Sequence, residues 1–299
     1  MQQSVLHISD FFAFDIEKFH FSGQPGPRLM VTGGIHGGEV TGTHAARMLI
    51  EWLSSREADL KGEVLVLPVC NPPGFRRMQR TSPYDELDMN RIFPGRTDAA
   101  PTLAAAAAIY AEATNVDYIV DLHCCGIYGS NYILATYNDS PKAKDLAGML
   151  DIPVVVESGG TPGQLFTEAG RNMDKAAVII ELAGGQPIGK VDLTAANEAF
   201  QALLGLLRQL GMVNDQPAVK PEPVFCGKLE SVRSISDGYF EPALEAGVWI
   251  KAGTVIGTFT SGKESVQQVA PCDCRLMNVG PARYLFKGNQ LFVYVVPAV

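Results

Sequence analysis

The sequence predicts an α/β fold with a mostly parallel or mixed central sheet flanked by helices, followed by a small all-β C-terminal domain. Short apolar runs alternate with helical stretches up to about residue 212, which is the pattern of an α/β domain. A polar stretch with three prolines follows at residues 214–223. Beyond it, β-rich runs separated by glycine replace the helices, as in a small β-domain.

Each element of the large domain is predicted from its own pattern. Runs rich in β-branched and aliphatic residues predict strands at Arg28–Thr32, Val64–Val69, Tyr118–Leu122, Tyr132–Ala135, Val154–Val156 and Ala177–Ile180. Longer stretches with helical periodicity predict helices at Glu39–Trp52, Thr102–Ala113, Lys142–Leu150 and Asp192–Leu210. The predicted domains are therefore residues 1–213, a linker at 214–223, and a β-rich domain at 224–299.

Composition excludes several classes of protein. The 299 residues are 46% hydrophobic, which suffices for a sizeable core. The net charge of −8 from 24 basic and 32 acidic residues argues against partners such as nucleic acid or an anionic membrane surface. We predict no signal peptide and no membrane helix, and hence a cytoplasmic protein. The six cysteines lack zinc-finger spacing and disulfide density, so we expect reduced thiols.

A glycine-rich turn after the first predicted inner strand carries His36 and Glu39, three residues apart. Another strand ends at His123. Two imidazoles and one carboxylate, with a fourth position left to water, form the donor set of a catalytic zinc ion. Taken alone, His36 and Glu39 are also compatible with an ordinary helix entry, where a first-turn carboxylate is favoured by the helix dipole.

The positions of other polar residues favour the metal site. In open α/β sheets, ligands bind beyond the carboxyl ends of the strands. Glu181 stands on an otherwise apolar strand, where burial without a partner would cost several kcal/mol, so it suits a general base beside a metal. The 71–91 segment brings Arg76, Arg77, Arg80 and Arg91 into an acidic protein, which suggests a wall that binds anions such as carboxylates.

These motifs resemble those of the succinylglutamate desuccinylase and aspartoacylase family, within the zinc carboxypeptidase superfamily. The matching pieces occur in the expected order over about residues 28 to 190: Gly34–Glu39, Asn71–Pro72, Asp88–Gly95, Asp121–His123 and Ile180–Glu181. The resemblance implies a zinc carboxypeptidase-like fold and one Zn²⁺ per chain, held by His36, Glu39 and His123. It also implies that Glu181 is the general base and later the general acid.

The resemblance further implies roles around the metal. Asn90 and Arg91 match a pair that binds a substrate carboxylate, and Asp88 matches a residue that accepts a hydrogen bond from a ligand histidine. Arg80 matches an arginine that polarises the scissile carbonyl. Its spacing to Arg91 is looser than the family pattern, which leaves Arg76 or Arg77 as alternatives.

Two more substrate contacts are implied less directly. Arg171 occupies the place of an anion-binding arginine ten residues before the catalytic glutamate, and Tyr284 corresponds to a late substrate-contacting tyrosine. The C-terminal segment instead resembles the biotinyl/lipoyl-like β-module, with Asp237–Pro242, Gly247–Gly253 and Val269–Pro271 as the matching pieces.

The predicted function is hydrolysis of the amide bond in a small N-acyl amino acid or a related substrate that bears a carboxylate. One alternative is a zinc carboxypeptidase that trims peptides, and a more distant one is a non-catalytic binding or carrier protein. The expected partner is a small molecule rather than nucleic acid or a membrane. The sequence leaves open the acyl group, the amine and whether the protein forms a homo-oligomer.

Overall fold

The computed structural model describes residues 1–8, 14–215 and 222–298. Six helices are present in this part of the chain: α1 (Val40–Ser54), α2 (Pro72–Arg76), α3 (Pro101–Ala113), α4 (Pro141–Met149), α5 (Leu165–Met173) and α6 (Leu193–Gln209). None of the helices in these ranges is long and apolar enough to cross a lipid bilayer.

The strands fall into two groups along the chain. Those up to residue 226 are β1 (Gln2–His7), β2 (Asp15–Ser22), β3 (Gln24–Gly33), β4 (Lys61–Leu67), β5 (Tyr118–Gly126), β6 (Tyr132–Ala135), β7 (Val154–Glu157), β8 (Ala176–Gly185), β9 (Lys190–Val191) and β10 (Val224–Cys226). Those after it are β11 (Glu230–Arg233), β12 (Gly238–Pro242), β13 (Trp249–Ile250), β14 (Val255–Ser261), β15 (Glu264–Val269), β16 (Cys274–Val279), β17 (Arg283–Leu285) and β18 (Gln290–Val295).

The first group forms one mixed ten-stranded sheet. Its order is β1-β2-β4-β3-β5-β8-β6-β7-β10, with β9 paired to β8. Strands β4, β3, β5 and β8 are parallel neighbours, whereas β6 runs antiparallel to β8. The predicted fold class, an α/β sheet with a β-rich C-terminal part, is confirmed.

Helices cover both faces of this sheet. Buried side chains of α1, α4 and α6 pack on one face, and those of α3 and α5 pack on the other. Burial on both faces explains the near-continuous apolar runs of the inner strands. Helix α5 was not predicted, because the segment is short, contains Gly170 and is polar on its outer side.

The second group forms two four-stranded sheets, in the orders β11-β18-β16-β13 and β15-β14-β12-β17. Phe240, Leu276 and Phe292 are fully buried between them. The short strand β10 lies just after the predicted boundary, yet it pairs in parallel with β7 at the edge of the large sheet. The predicted linker falls mostly on residues 216–221, which lie outside the described ranges, so the domain limits stay a prediction.

The all-β part docks beside the carboxyl ends of the inner strands. The backbone N–H of Ser130 donates to the carbonyl of Met277 at 2.9 Å, and the side-chain amide of Asn278 donates to the carbonyl of Cys125 at 3.2 Å. These bonds fix β16 against the loop that follows His123. As a result, residues of the C-terminal part reach the site described next.

Candidate active site

The turn that follows β3 positions two of the predicted metal ligands. Gly34 adopts a left-handed conformation with φ of +60°, which favours glycine. At Gly37 a Cβ atom would lie only 2.0 Å from the backbone carbon of Gly74, so only glycine allows the two loops to approach. The turn therefore places His36 and Glu39 at the start of α1, facing the end of β5.

His36, Glu39 and His123 converge as buried side chains. Nδ1 of His36 lies 2.8 Å from Oε1 of Glu39, and Nδ1 of His123 lies 2.9 Å from Oε2 of the same carboxylate. The two Nδ1 atoms are 3.1 Å apart. The three residues thus offer donor atoms that all lie within 4.8 Å of one another, a group able to hold a metal ion.

The far nitrogen of each histidine faces a carboxylate. Nε2 of His36 lies 2.9 Å from Oδ1 of Asp88, and Nε2 of His123 lies 2.8 Å from Oδ2 of Asp121. An ionised carboxylate only accepts hydrogen bonds, so both Nε2 atoms carry protons. When a ring is neutral, its Nδ1 lone pair then points at Glu39, and this convergence of acceptors fits a cation between them.

Neighbouring charges control the pKa values of His123 and Glu39. Burial alone would lower the pKa of His123, but Asp121 and Glu39 outweigh it and raise that pKa well above its ordinary value. Burial would likewise raise the pKa of Glu39, and the two histidines hold it well below the usual range. These carboxylates therefore favour a positive charge between them, which a proton or a bound cation can supply.

Asp121 is a site residue whose contact with His123 was not predicted from the sequence. It is fully buried, and its Oδ1 atom accepts a 2.7 Å hydrogen bond from the Thr32 hydroxyl on the neighbouring strand β3. The available signal was its spacing of two residues from His123, which places both side chains on the same face of a strand.

Glu181 and Tyr132 extend this row across the sheet. Glu181 on β8 is the register partner of His123 on β5 and of Tyr132 on β6. Cross-strand partners lie about 5 Å apart at Cβ, so the three side chains are neighbours on one face. Burial raises the pKa of Glu181 to about 7, which suits a group that takes and returns a proton near neutral pH.

These side chains share one cavity of about 320 Å³. Arg80, Asn90 and Arg91 enter it from the segment between β4 and α3. Of the described residues, the rest of the lining is Cys124, Cys125, Gln164, Ile179, Leu229, Met277, Asn278, Gln290 and Val293. Five of these nine come from the chain beyond residue 226, a contribution that the sequence did not predict.

The arginines and Asn90 differ in how they are held. Arg80 donates through Nε to Asp88 at 2.8 Å, with Nη1 at 3.7 Å from Glu39. Asn90 is buried, accepts a hydrogen bond from the N–H of Leu165 and approaches His123. Arg91 is exposed at the cavity and donates to the carbonyl of Asn90 at 2.7 Å.

Neither of the arginines considered as alternatives to Arg80 lines the cavity. Arg76 and Arg77 are exposed at the end of α2. Of the three candidates for polarising a carbonyl, the structure brings only Arg80 to the metal group.

Two of the predicted substrate contacts, Arg171 and Tyr284, lie outside this cavity. Arg171 projects from α5 into a separate cavity with Thr136 and Asp139, and it donates to the carbonyl of Gly159. Tyr284 lies on β17, is 48% exposed, and packs edge-on against Tyr239. The role of these two residues in substrate binding stays a prediction.

Comparison with known proteins places this site in a family. The family model for the succinylglutamate desuccinylase/aspartoacylase catalytic domain matches residues 25–207, more than half of the chain and all of the proposed ligands. The chain belongs to the succinylglutamate desuccinylase and aspartoacylase family. The match ends before Leu229 and the residues of β16 and β18 that complete the cavity.

Individual relatives of this family agree with the assignment. The chain is 28% identical over 206 residues to the N-alpha-acetyl-L-2,4-diaminobutyric acid deacetylase of Halomonas elongata, covering 66% of this chain and 59% of that protein. It is 28% identical over 212 residues to the succinylglutamate desuccinylase of Erwinia tasmaniensis, covering 64% and 62%. The chain thus spans less than two thirds of either relative.

Solved structures of the family share the fold over nearly the whole chain. An aspartoacylase family protein from Mesorhizobium loti superposes with a TM-score of 0.82 at 22% identity, covering 100% of this chain and 95% of that one. The product-bound ectoine utilization protein EutE (DoeB) of Ruegeria pomeroyi gives 0.81 at 23% identity, covering 98% and 93%. At these identities the likeness concerns the fold alone.

Proposed function

We propose that this protein is a zinc-dependent deacylase that hydrolyses the amide bond of a small N-acyl amino acid. One observation carries the proposal: Glu181 lies beside His123 on the neighbouring strand, next to the donor atoms of His36 and Glu39. Arg91 lines the same cavity. The named relatives from Halomonas elongata and Erwinia tasmaniensis, a deacetylase and a desuccinylase, support the same reaction class.

His36, Glu39 and His123 would hold the zinc ion, with both histidines bound through Nδ1. A zinc ion in such a site lowers the pKa of a coordinated water and polarises a carbonyl oxygen. Asp88 and Asp121 keep the ligand histidines oriented by accepting from their Nε2–H groups. The chain therefore sets which nitrogen of each histidine faces the metal.

Glu181 is the proton carrier of the proposed reaction. It takes a proton from the attacking water and delivers it to the nitrogen of the leaving amine, so one carboxylate serves both steps. Arg80 donates a hydrogen bond to the carbonyl oxygen as negative charge develops there. Arg91 binds the substrate carboxylate and sets the amide at the correct distance from Glu181.

The test is a Glu181→Gln variant, assayed with zinc content measured on the same sample. We expect kcat to fall by at least about 10²-fold with zinc retained, because loss of a general base has that magnitude. Glu264→Gln, the same change at an exposed hairpin position, is the matched control and should keep wild-type turnover. Near-normal kcat in Glu181→Gln would refute the role of Glu181.

The rival function, a carboxypeptidase acting on peptides, is less consistent with the cavity. A volume of about 320 Å³ is at the small end of ligand sites and matches one acylated amino acid better than an extended chain. Zinc-loaded protein should therefore hydrolyse N-acyl amino acids at higher kcat/KM than dipeptides. The opposite order would favour the carboxypeptidase.

A further inference from the structure

The cavity has two chemically different walls. One comes from the segment after β4 and carries Arg80 and Arg91. The other combines Tyr132 of β6 with Met277, Gln290 and Val293 of the C-terminal sheets. Strands β4 and β6 lie on opposite sides of strands β3, β5 and β8, which position the metal donors and Glu181. The two walls therefore flank the metal donors from opposite sides.

The second wall is fixed in place and uncharged. Tyr132 and Met277 are buried in one apolar cluster, against which Val293 packs. The strand β16 that carries Met277 is tied to the loop after β5 by the Ser130–Met277 backbone bond of 2.9 Å. Gln290 adds an uncharged amide to this surface.

Cations in the lining are few. Among the described lining residues, the arginines are Arg80 and Arg91, and Arg80 is already paired with Asp88 at 2.8 Å and close to Glu39. Arg171, which would have supplied a second anion site, lines a different cavity. Among the described lining residues, Arg91 is therefore the one arginine whose charge is not already engaged by a carboxylate. Arg283 donates to the backbone carbonyl of Gln290 at 2.9 Å but does not line the cavity.

We propose that the acyl group of the substrate is short and uncharged, and that it rests on the wall formed by Tyr132, Met277, Gln290 and Val293. This inference rests on the proposed function: with the substrate carboxylate on Arg91 and the amide at the metal group, the acyl group is the part left to face the second wall. A carboxylate at its far end would lose water there without gaining a cation, which is costly.

The first experiment compares acyl groups on one amine. Zinc-loaded protein is assayed with the N-acetyl, N-butyryl and N-succinyl derivatives of glutamate and of 2,4-diaminobutyrate. We expect the acetyl derivative of each amine to exceed the succinyl derivative by at least about 10-fold in kcat/KM. Equal or faster hydrolysis of the succinyl derivative overturns the inference.

A charge-switch variant tests the wall itself. Gln290→Arg brings a cation to the second wall and should raise the succinyl-to-acetyl ratio of kcat/KM by about 10-fold or more. Gln267→Arg, the same change on exposed β15, should leave the ratio unchanged. A folded Gln290→Arg protein with an unchanged ratio overturns the assignment.

Two further measurements keep the inference testable when a variant or the assay fails. If Gln290→Arg does not fold, Val293→Ala enlarges the same wall and should raise the butyryl-to-acetyl ratio by about 10-fold, and an unchanged ratio overturns the assignment. Calorimetric titration of zinc-loaded Glu181→Gln with the acetyl and succinyl derivatives gives the preference without turnover.

The calorimetry also separates the two hypotheses. Tighter binding of the acetyl derivative, with no hydrolysis of any derivative by the wild type, refutes the proposed function and supports the uncharged wall. Tighter binding of the succinyl derivative, or no binding of either, overturns the wall.

Discussion

Replacing Asp121 with asparagine tests whether the buried carboxylate sets the proton on His123. Oδ1 of Asp121 accepts from the Thr32 hydroxyl at 2.7 Å, and Oδ2 faces Nε2 of His123 at 2.8 Å. Asparagine has one carbonyl oxygen for these two contacts. If that oxygen stays with Thr32, the amide NH₂ faces Nε2, and His123 must shift its proton to Nδ1, the atom that faces the metal group.

The alternative rotamer accepts from Nε2–H of His123 and turns its NH₂ group toward the Thr32 hydroxyl. In either rotamer asparagine cannot accept from both partners, as the carboxylate of Asp121 does. Loss of a group that orients a ligand histidine costs about 10- to 100-fold in metal affinity, equivalent to roughly 1.4–2.7 kcal/mol. We therefore expect Asp121→Asn to bind zinc about 10- to 100-fold more weakly than the wild type.

Competition with a chromophoric chelator measures this affinity. Asp121 also raises the pKa of His123, so protons compete with zinc more strongly in the wild type than in the variant. The two zinc affinities should therefore be compared at the most alkaline pH at which both proteins stay folded. Asp117→Asn removes an exposed carboxylate at the start of the same strand and should change zinc affinity by less than about 2-fold. An Asp121→Asn affinity within about 2-fold of wild type would refute the reasoning.

Three further predictions follow from the site. Arg91→Ala should raise KM for the acyl amino acid by about 10-fold or more, as loss of a charged hydrogen bond does, with Arg77→Ala as an exposed control; an unchanged KM would contradict the assignment. The raised pKa of His123 stabilises the metal-free fold fully below about pH 6.5, and this contribution is lost as pH rises through the folded-state pKa. Zinc binding should therefore release protons at pH 7, as calorimetry in buffers of different ionisation enthalpy will measure, and the absence of release would count against it. Asn71→Ala should lower the free energy of unfolding by about 1–3 kcal/mol in urea denaturation, because Asn71 accepts from Gly74 N–H at 3.0 Å in the interior; a smaller loss would show that the loop is held otherwise.

The sequence predicted those parts of the molecule that depend on local pattern. The inner strands follow from apolar runs, and the donor group follows from His36 and Glu39 in a glycine turn with His123 at a strand end. Parallel neighbouring strands bring such ends to one edge of a sheet. Local spacing therefore translated directly into spatial convergence.

Sequence spacing alone does not give the direction in which a side chain points. Arg171 stands ten residues before Glu181, but it projects from α5 toward Thr136, and the helix ends at Asp174 in a left-handed conformation. Tyr284 lies in the sheet formed by β15, β14, β12 and β17, whereas Met277, Gln290 and Val293 come from strands β16 and β18 of the other sheet. No local pattern reveals which of two small sheets will dock on a distant strand end.

The division of the cavity between two parts of the chain has a consequence for specificity. The proposed metal donors, Glu181 and Arg91 all lie within the segment matched by the family model, residues 25–207, and in the proposed function they carry the reaction. The wall of Met277, Gln290 and Val293 lies outside that segment, so it can vary without disturbing the donors. Relatives that share the chemistry but differ in acyl group, as a deacetylase and a desuccinylase do by name, are what such an arrangement permits. In this protein the uncharged wall points to the acetyl-like end of that range, and Gln290→Arg is the single change expected to move it toward the succinyl end.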